Sequence, residues 1–309
     1  MHRKYEGSFL SEADGLPISV LALIPAEKPY RGILQLVHGM SEYKERYLPF
    51  MEYMTEQGFV TVIHDHRGHG KSVYGKKDLG YMYGGGEESI LKDMLTVNRG
   101  MRERFPQMPV ILFGHSMGSL AVRDFARRWD SLLDMLIVCG SPSRNSALAL
   151  GTAIARCEGA LLGKRHRSRF LETISFGSYV MRFRKDKSCT SWICSDNQVA
   201  QEYEENEYCG FTFTDDAYLT LFHMMKGAYD VEHWNCTNRW LPILFVSGAD
   251  DPCLGNVRRF AKTVQAMRHA GYYDVKGKLY PGMRHEILNE KGKEKVFRDI
   301  SLYIKKKGF

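Results

Sequence analysis

The segment FGHSMGSLAV, residues 113–122, sets Ser116 between Gly114 and Gly118. The apolar run PVILF precedes it and MGSLAVRDFARRW, with helical periodicity, follows it, so the local order is strand, serine, helix. A turn this tight brings neighbouring backbone close to the chain, and a Cβ at 114 or 118 would clash there. It also forces the serine into a strained conformation that lifts its hydroxyl out of the sheet. Glycine-flanked serines also occur in ordinary loops. The residues around this one, and those later in the chain, decide its meaning.

The flanking chain alternates in the same way. Two strand-like runs, 5–10 and 18–23, flank the turn-rich SEADGLP and read as a hairpin. GILQLVHG and FVTVIHD read as buried strands on either side of a helix over 43–57 closed by Gly58. A helix near 87–104, the strand before Ser116, the helix after it and the strand LLDMLIVCG continue the pattern. LPILFVSG, a helix near 255–270, DVKGKLYPG and a lysine-rich terminal helix complete it. Strands alternating with helices imply an α/β fold with a mostly parallel central sheet flanked by helices and joined by right-handed crossovers. Residues 143–235 break the alternation with short helical segments, aromatics and basic clusters. The expected organisation is a core from 1–142 and 236–309, with an α-helical insertion over 143–235 before the last strands.

A serine hydroxyl is a weak nucleophile until a base takes its proton, so a histidine and an orienting carboxylate should accompany it. VSGADDPCLG supplies Asp250 and Asp251 at one predicted strand end, and LYPGMRHEILNE supplies His285 after the next. Serine, acid, histidine is the chain order of the α/β-hydrolase fold, and Ser116, Asp251 and His285 satisfy it. The strand pattern alone leaves Asp250 and Asp251 as alternatives for the acid. An oxyanion needs two N–H donors, one after the nucleophile and one from the loop after an earlier strand. Met117 fits the first and Met40, in LVHGMSE, the second, with His38 and Gly39 shaping that loop. HDHRGHGKS offers His64, His66 and His69 as conceivable metal ligands, but its glycines suit a loop braced by Asp65 and Arg67. No metal and no cofactor is expected.

The net charge of +7 has its densest sources in KRHRSR at 164–169 and RFRKDK at 182–187. Both read as solvated faces; the sharper alternative is peripheral contact with phospholipid headgroups or an anionic membrane. No nucleic-acid-binding module accompanies the charge. No apolar stretch is long enough for a membrane span, and the polar, acidic start lacks the core of a signal peptide, so a cytoplasmic protein is expected. Seven scattered cysteines suggest neither a disulfide framework nor a zinc knuckle.

Taken together, these motifs resemble the monoacylglycerol lipase and lysophospholipase branch of the α/β-hydrolases, sometimes described as serine aminopeptidase-like. The resemblance rests on His38-Gly39, the Asp65–Ser72 loop, Gly114–Ser119, Gly248-x-x-Asp251-Pro252 and Arg284-His285-Glu286, with EYCGFTFT in the insertion. The family's G-x-x-D spacing implies that Asp251 is the acid. It also implies that the insertion caps the serine. ALALGTAIA, FGSYVMRF and YLTLFHMM, with Met181, Met224 and Met225, are the candidates to line an acyl tunnel. The implied activity is hydrolysis of monoacylglycerols or lysophospholipids. Thioester or peptide hydrolysis by the same triad, and a catalytically silent ligand-binding protein, are the alternatives.

Overall fold

In the computed structural model, which describes residues 2–186 and 188–309, the apolar runs lie side by side at the centre of one sheet. Its strands are β1 (His2–Leu10), β2 (Pro17–Pro25), β3 (Gly32–Val37), β4 (Phe59–His64), β5 (Val110–His115), β6 (Met135–Cys139), β7 (Ile243–Gly248) and β8 (Val275–Tyr280), in the order β1-β2-β4-β3-β5-β6-β7-β8. The first two form the antiparallel hairpin; β3 through β8 run parallel to one another. Strands β3 to β7 are buried throughout, which is why they read as continuous apolar runs rather than alternating ones. The fold is that of the α/β-hydrolases.

Register places the site. Val37 pairs with Gly114, Gly114 with Val138, and Gly248 with Tyr280, so the loops after β3, β5, β7 and β8 leave along one edge. Helices α1 (Leu48–Glu56) and, at the chain end, α9 (Lys293–Lys306) cover one face. Helices α2 (Gly86–Arg104) and α3 (Met117–Trp129), with the later α8 (Val257–His269), cover the other. The helix expected from residue 43 begins only at Leu48 after a 3-10 turn over Lys44–Tyr47. Pro49 suits a first helical turn, and Lys44 is drawn away by Asp65, its Nζ 2.7 Å from Oδ2.

Between β6 and β7 lie α4 (Leu148–Leu162), α5 (Arg169–Arg182), α6 (Asn197–Glu205) and α7 (Asp215–Tyr229). They do not form one separate layer. Tyr218, Phe222 and Met224 of α7 join the same apolar cluster as α2 and α3. Met224 is therefore core packing rather than tunnel lining, and Met225 packs half-buried against that cluster. Met181, on α5, is 59% exposed, which removes it too from an enclosed tunnel.

The first basic run is exposed at Lys164, Arg165 and Arg169, but two of its arginines are also tied down. Arg165 pairs with Asp78 and lies 4.1 Å over the Tyr81 ring. Arg167 donates to the carbonyls of Thr212 and Leu79. Both tie the insertion to the 76–85 loop. In the second run, Lys187 lies outside the described residues.

Candidate active site

Ser116 stands between β5 and α3 at φ 53° and ψ −116°, a region that a side-chain-bearing residue occupies only when its surroundings enforce it. The enforcement is visible in its neighbours. A Cβ on Gly118 would run into the Val37 and His38 carbonyls, and one on Gly114 into the Gly118 carbonyl. The Ser116 Oγ lies 2.8 Å from His285 Nε2, and His285 Nδ1 lies 3.0 Å from Asp251 Oδ2. Asp251 is fully buried and accepts further bonds from Ser247 Oγ at 3.0 Å and the Cys253 N–H at 2.8 Å. Asp250 is exposed, and among the described residues its backbone alone is engaged, the N–H donating to the Met283 carbonyl. Gly248 is required because a Cβ there would meet the Met283 and Arg284 carbonyls.

Burial alone would push the His285 imidazolium pKa down. The Asp251 carboxylate, through charge and hydrogen bond, outweighs it and leaves the value above that of an ordinary histidine. The imidazole thus faces a hydroxyl on one nitrogen and a carboxylate on the other.

The loop after β3 comes against the serine: a Cβ on Gly39 would sit 3.1 Å from that of Ser116. Among the described residues, neither the Met40 nor the Met117 N–H meets an acceptor. Met117 opens α3, so its N–H has no partner within the helix. Sequence reasoning gave no role to the groups that hold this loop. The Gly39 N–H donates to Glu42 Oε1 at 2.5 Å, and Tyr47 Oη donates to the same oxygen at 2.9 Å. Burial would raise the Glu42 pKa, but the His115 hydrogen bond and the Arg46 charge hold it at about 2. Arg46 continues the chain, donating to both Glu286 oxygens at 2.6 Å, beside His285. The insertion fastens the next residue: Ser41 accepts from the Gly210 N–H at 2.9 Å and the Tyr203 hydroxyl at 2.8 Å, and its own hydroxyl donates to the Phe211 carbonyl. That is the structural use of EYCGFTFT.

His38 shapes the loop through both ring nitrogens. Nδ1 donates to the Gly39 carbonyl at 2.8 Å and Nε2 accepts the His66 N–H at 2.9 Å. His69 likewise accepts from the Ser41 N–H at 3.2 Å and donates to the Arg67 carbonyl at 3.0 Å. His64 and His66 pack edge-on, ring centres 5.2 Å apart, in the same buried group. His38, His66 and His69 bond to backbone, whereas His64 only packs. Asp65 and Arg67 brace the loop too, though not as partners of each other: Asp65 binds Lys44, and Arg67 binds Asp93 and Asp14.

From above, Trp192 of the insertion lies with its ring centre 5.3 Å from that of His285. Phe176 and Tyr179 of α5 pack on Trp192 in turn.

An α/β-hydrolase sheet with a serine, a histidine and a buried carboxylate at its strand ends defines the class: the chain is a hydrolase of the α/β-hydrolase type. Within that class it belongs to the family described as serine aminopeptidase, S33, whose model matches residues 28–292. It is 23% identical over 275 residues to a monoacylglycerol lipase of Mycolicibacterium smegmatis, covering 89% of this chain and 88% of the relative. Among solved structures, a thermostable carboxyl esterase of Bacillus coagulans is 27% identical with a TM-score of 0.91, covering 99% of both chains. A monoglyceride lipase of Saccharomyces cerevisiae shares the fold at 18% identity and a TM-score of 0.74, over 99% of this chain and 94% of that one. No helix among the described residues is long and apolar enough to cross a membrane.

Proposed function

We propose that the chain is a serine esterase that cleaves carboxylic esters of monoacylglycerols or lysophospholipids through an acyl-enzyme on Ser116. The observation that carries this reading is the unbroken contact from Ser116 Oγ through His285 to Asp251, at 2.8 and 3.0 Å, on a strained serine. His285 Nε2 takes the Ser116 proton as Oγ attacks the ester carbonyl. The carbonyl oxygen becomes an oxyanion held by the N–H groups of Met40 and Met117. The intermediate collapses with loss of the alcohol, which receives the proton from His285. Water then attacks the acyl carbon as Nε2 takes one of its protons, and the second intermediate breaks its bond to Oγ, releasing the carboxylic acid while Nε2 passes that proton to Ser116. Asp251 keeps Nδ1 protonated throughout and stabilises the transient imidazolium. The residues named need no metal or cofactor for these steps.

Residues 143–235 act in this reading as a cap whose α5 and Trp192 overlie His285. The names of the lipase and esterase relatives support an acyl ester as substrate, and the Gly39 loop beside Ser116 suits a planar carbonyl. A panel of monoacylglycerols, lysophospholipids, acyl thioesters and aminoacyl anilides tests it. Turnover of the oxygen esters should dominate by orders of magnitude; faster anilide or thioester cleavage would replace the esterase reading with that of a peptidase or thioesterase.

A further inference from the structure

A cavity of about 310 Å³, at the small end of ligand-pocket sizes, opens between α5 and the loop that carries Asp251. Arg144, Arg182 and Arg259 all line it, with Ser178, Tyr179 and Cys253, and no carboxylate contributes to its wall. The arginines that lie against the catalytic loops and the 76–85 loop are paired with carboxylates: Arg46 with Glu286, Arg67 with Asp93, Arg165 with Asp78, Arg284 with Asp186. Among the described residues no carboxylate lies within ion-pair distance of Arg144, Arg182 or Arg259. All three guanidiniums belong to exposed side chains. The Arg259 Cδ folds over Gly255, where a Cβ would come within 2.8 Å of it.

One residue of the wall stands between the cavity and the reacting atoms. Cys253 Sγ, in its wall, lies 4.0 Å from the same His285 Nε2 that is 2.8 Å from Ser116 Oγ. In an acylglycerol phosphate six bonds separate the ester carbonyl from phosphorus, a reach of roughly 7 Å when extended. Three guanidinium forks suit a phosphate, which offers three terminal oxygens and up to two charges, better than a carboxylate, which can satisfy only one fork. They also disfavour a quaternary ammonium head, for which the wall holds no carboxylate and only Tyr179 as an aromatic.

We propose that this cavity receives the phosphate monoester head of a lysolipid substrate, so that the enzyme selects acylglycerol phosphates over neutral monoacylglycerols of the same chain. The selection rests on Ser116 being the nucleophile, while binding of the phosphate itself does not. The second basic run thus supplies Arg182 to a site rather than to bulk solvent.

The test compares monohexanoylglycerol with its phosphate monoester, both below their aggregation concentrations, at physiological salt where screening acts over about 8 Å. The wild-type kcat/KM should favour the phosphate ester by about ten-fold or more, and the R182Q/R259Q variant should bring the ratio near or below one, chiefly through KM. A wild-type ratio near one, or a ratio that the double variant leaves unchanged, overturns the proposal. Thermal melts of the Ser116→Ala protein with glycerol phosphate or inorganic phosphate separate the two readings. Stabilisation by glycerol phosphate, lost on adding R182Q/R259Q, is expected whether or not Ser116 is the nucleophile. Stabilisation by inorganic phosphate alone, with no substrate preference, would make the cavity a free-anion site and overturn its role in substrate selection.

Discussion

The floor of the site and the helices over it are built in opposite ways. The floor is made of loops that leave the parallel strands β3, β5, β7 and β8, and its Ser116–His285–Asp251 and Glu42–Arg46–Glu286 groups are hydrogen-bonded in two chains inside the protein. Above it, α4 and α5 leave Leu150, Leu161, Leu162, Phe170, Ile174 and Met181 in solvent, Leu161 at 84% exposure. The contrast shows where each kind of constraint lies. Under the proposed function, groups that must stay fixed to within fractions of an ångström sit on rigid strand ends, and the helices that would meet a variable substrate have little buried surface of their own.

The strongest way to break this contrast is at the floor. Ser116→Ala should lower kcat by about 10⁴ to 10⁶ in an ester assay while leaving the melting temperature nearly unchanged, since it removes one oxygen and little packing. Next in size, Asp251→Asn should cost on the order of 10⁴, because the Nδ1 proton loses its acceptor, whereas Asp250→Asn, at an exposed position, should cost less than about two-fold. A reversed order would move the acid to Asp250. The loop supports come third. Glu42→Gln removes the charge that holds the Gly39 N–H and Arg46, and kcat should fall by roughly ten- to a hundred-fold with a smaller change in KM. An unchanged kcat would detach the oxyanion loop from the Glu42–Arg46–Glu286 chain.

A pH series sharpens the floor further. The folded pKa of His64 is held at about 4 by burial, assisted by the Lys44 charge, and neither of its ring nitrogens meets a partner among the described residues. Between that value and the unfolded value near 6.5 the unfolded chain binds a proton that the folded chain does not. Stability is therefore complete above about pH 6.5 and is lost as pH falls toward 4. His64→Leu should lower the slope of stability against pH in that window by about one proton, measured by denaturant titration; an unchanged slope would mean that His64 is already protonated in the fold. The smallest effect is expected at the upper helices: Leu161→Ser should change stability by no more than about 0.5 kcal/mol, because the side chain buries almost nothing. A loss several times larger would show that α4 is packed against something and remove the contrast with the floor.

Much of the floor was legible in the chain because its logic is local. The strand–serine–helix pattern, the glycines at 114 and 118 and the order of Ser116, Asp251 and His285 each depend on a few neighbouring residues. The strand pattern alone leaves Asp250 and Asp251 open, since both come after the same strand, and only the family's G-x-x-D spacing points to Asp251; in the fold what separates them is burial, with the Ser247 hydroxyl and Cys253 N–H gathered on Asp251. The supports were illegible for a different reason. Arg46 and Glu286 meet across 240 positions, and Tyr203 reaches Ser41 across 162. Hydrogen-bond partners that far apart leave no trace in a single sequence. The KRHRSR run is largely exposed as its composition suggests, and what the sequence hid in the same manner is that Asp78 and the carbonyls of Leu79 and Thr212 hold Arg165 and Arg167.

The claim on which the rest depends is that Ser116 is activated by His285, and labelling with a fluorophosphonate measures it most directly. The burial-opposed but Asp251-dominated environment raises the His285 pKa above its ordinary value, so the neutral base is lost as pH falls through a value above about 6.5. Peptide mapping should therefore find one phosphonyl group, on Ser116, added at a rate that falls on the acid side with an apparent pKa above about 6.5, and absent in His285→Ala. An ester-cleaving preparation in which Ser116 stays unlabelled, or in which His285→Ala is labelled as fast as the wild type, would contradict it.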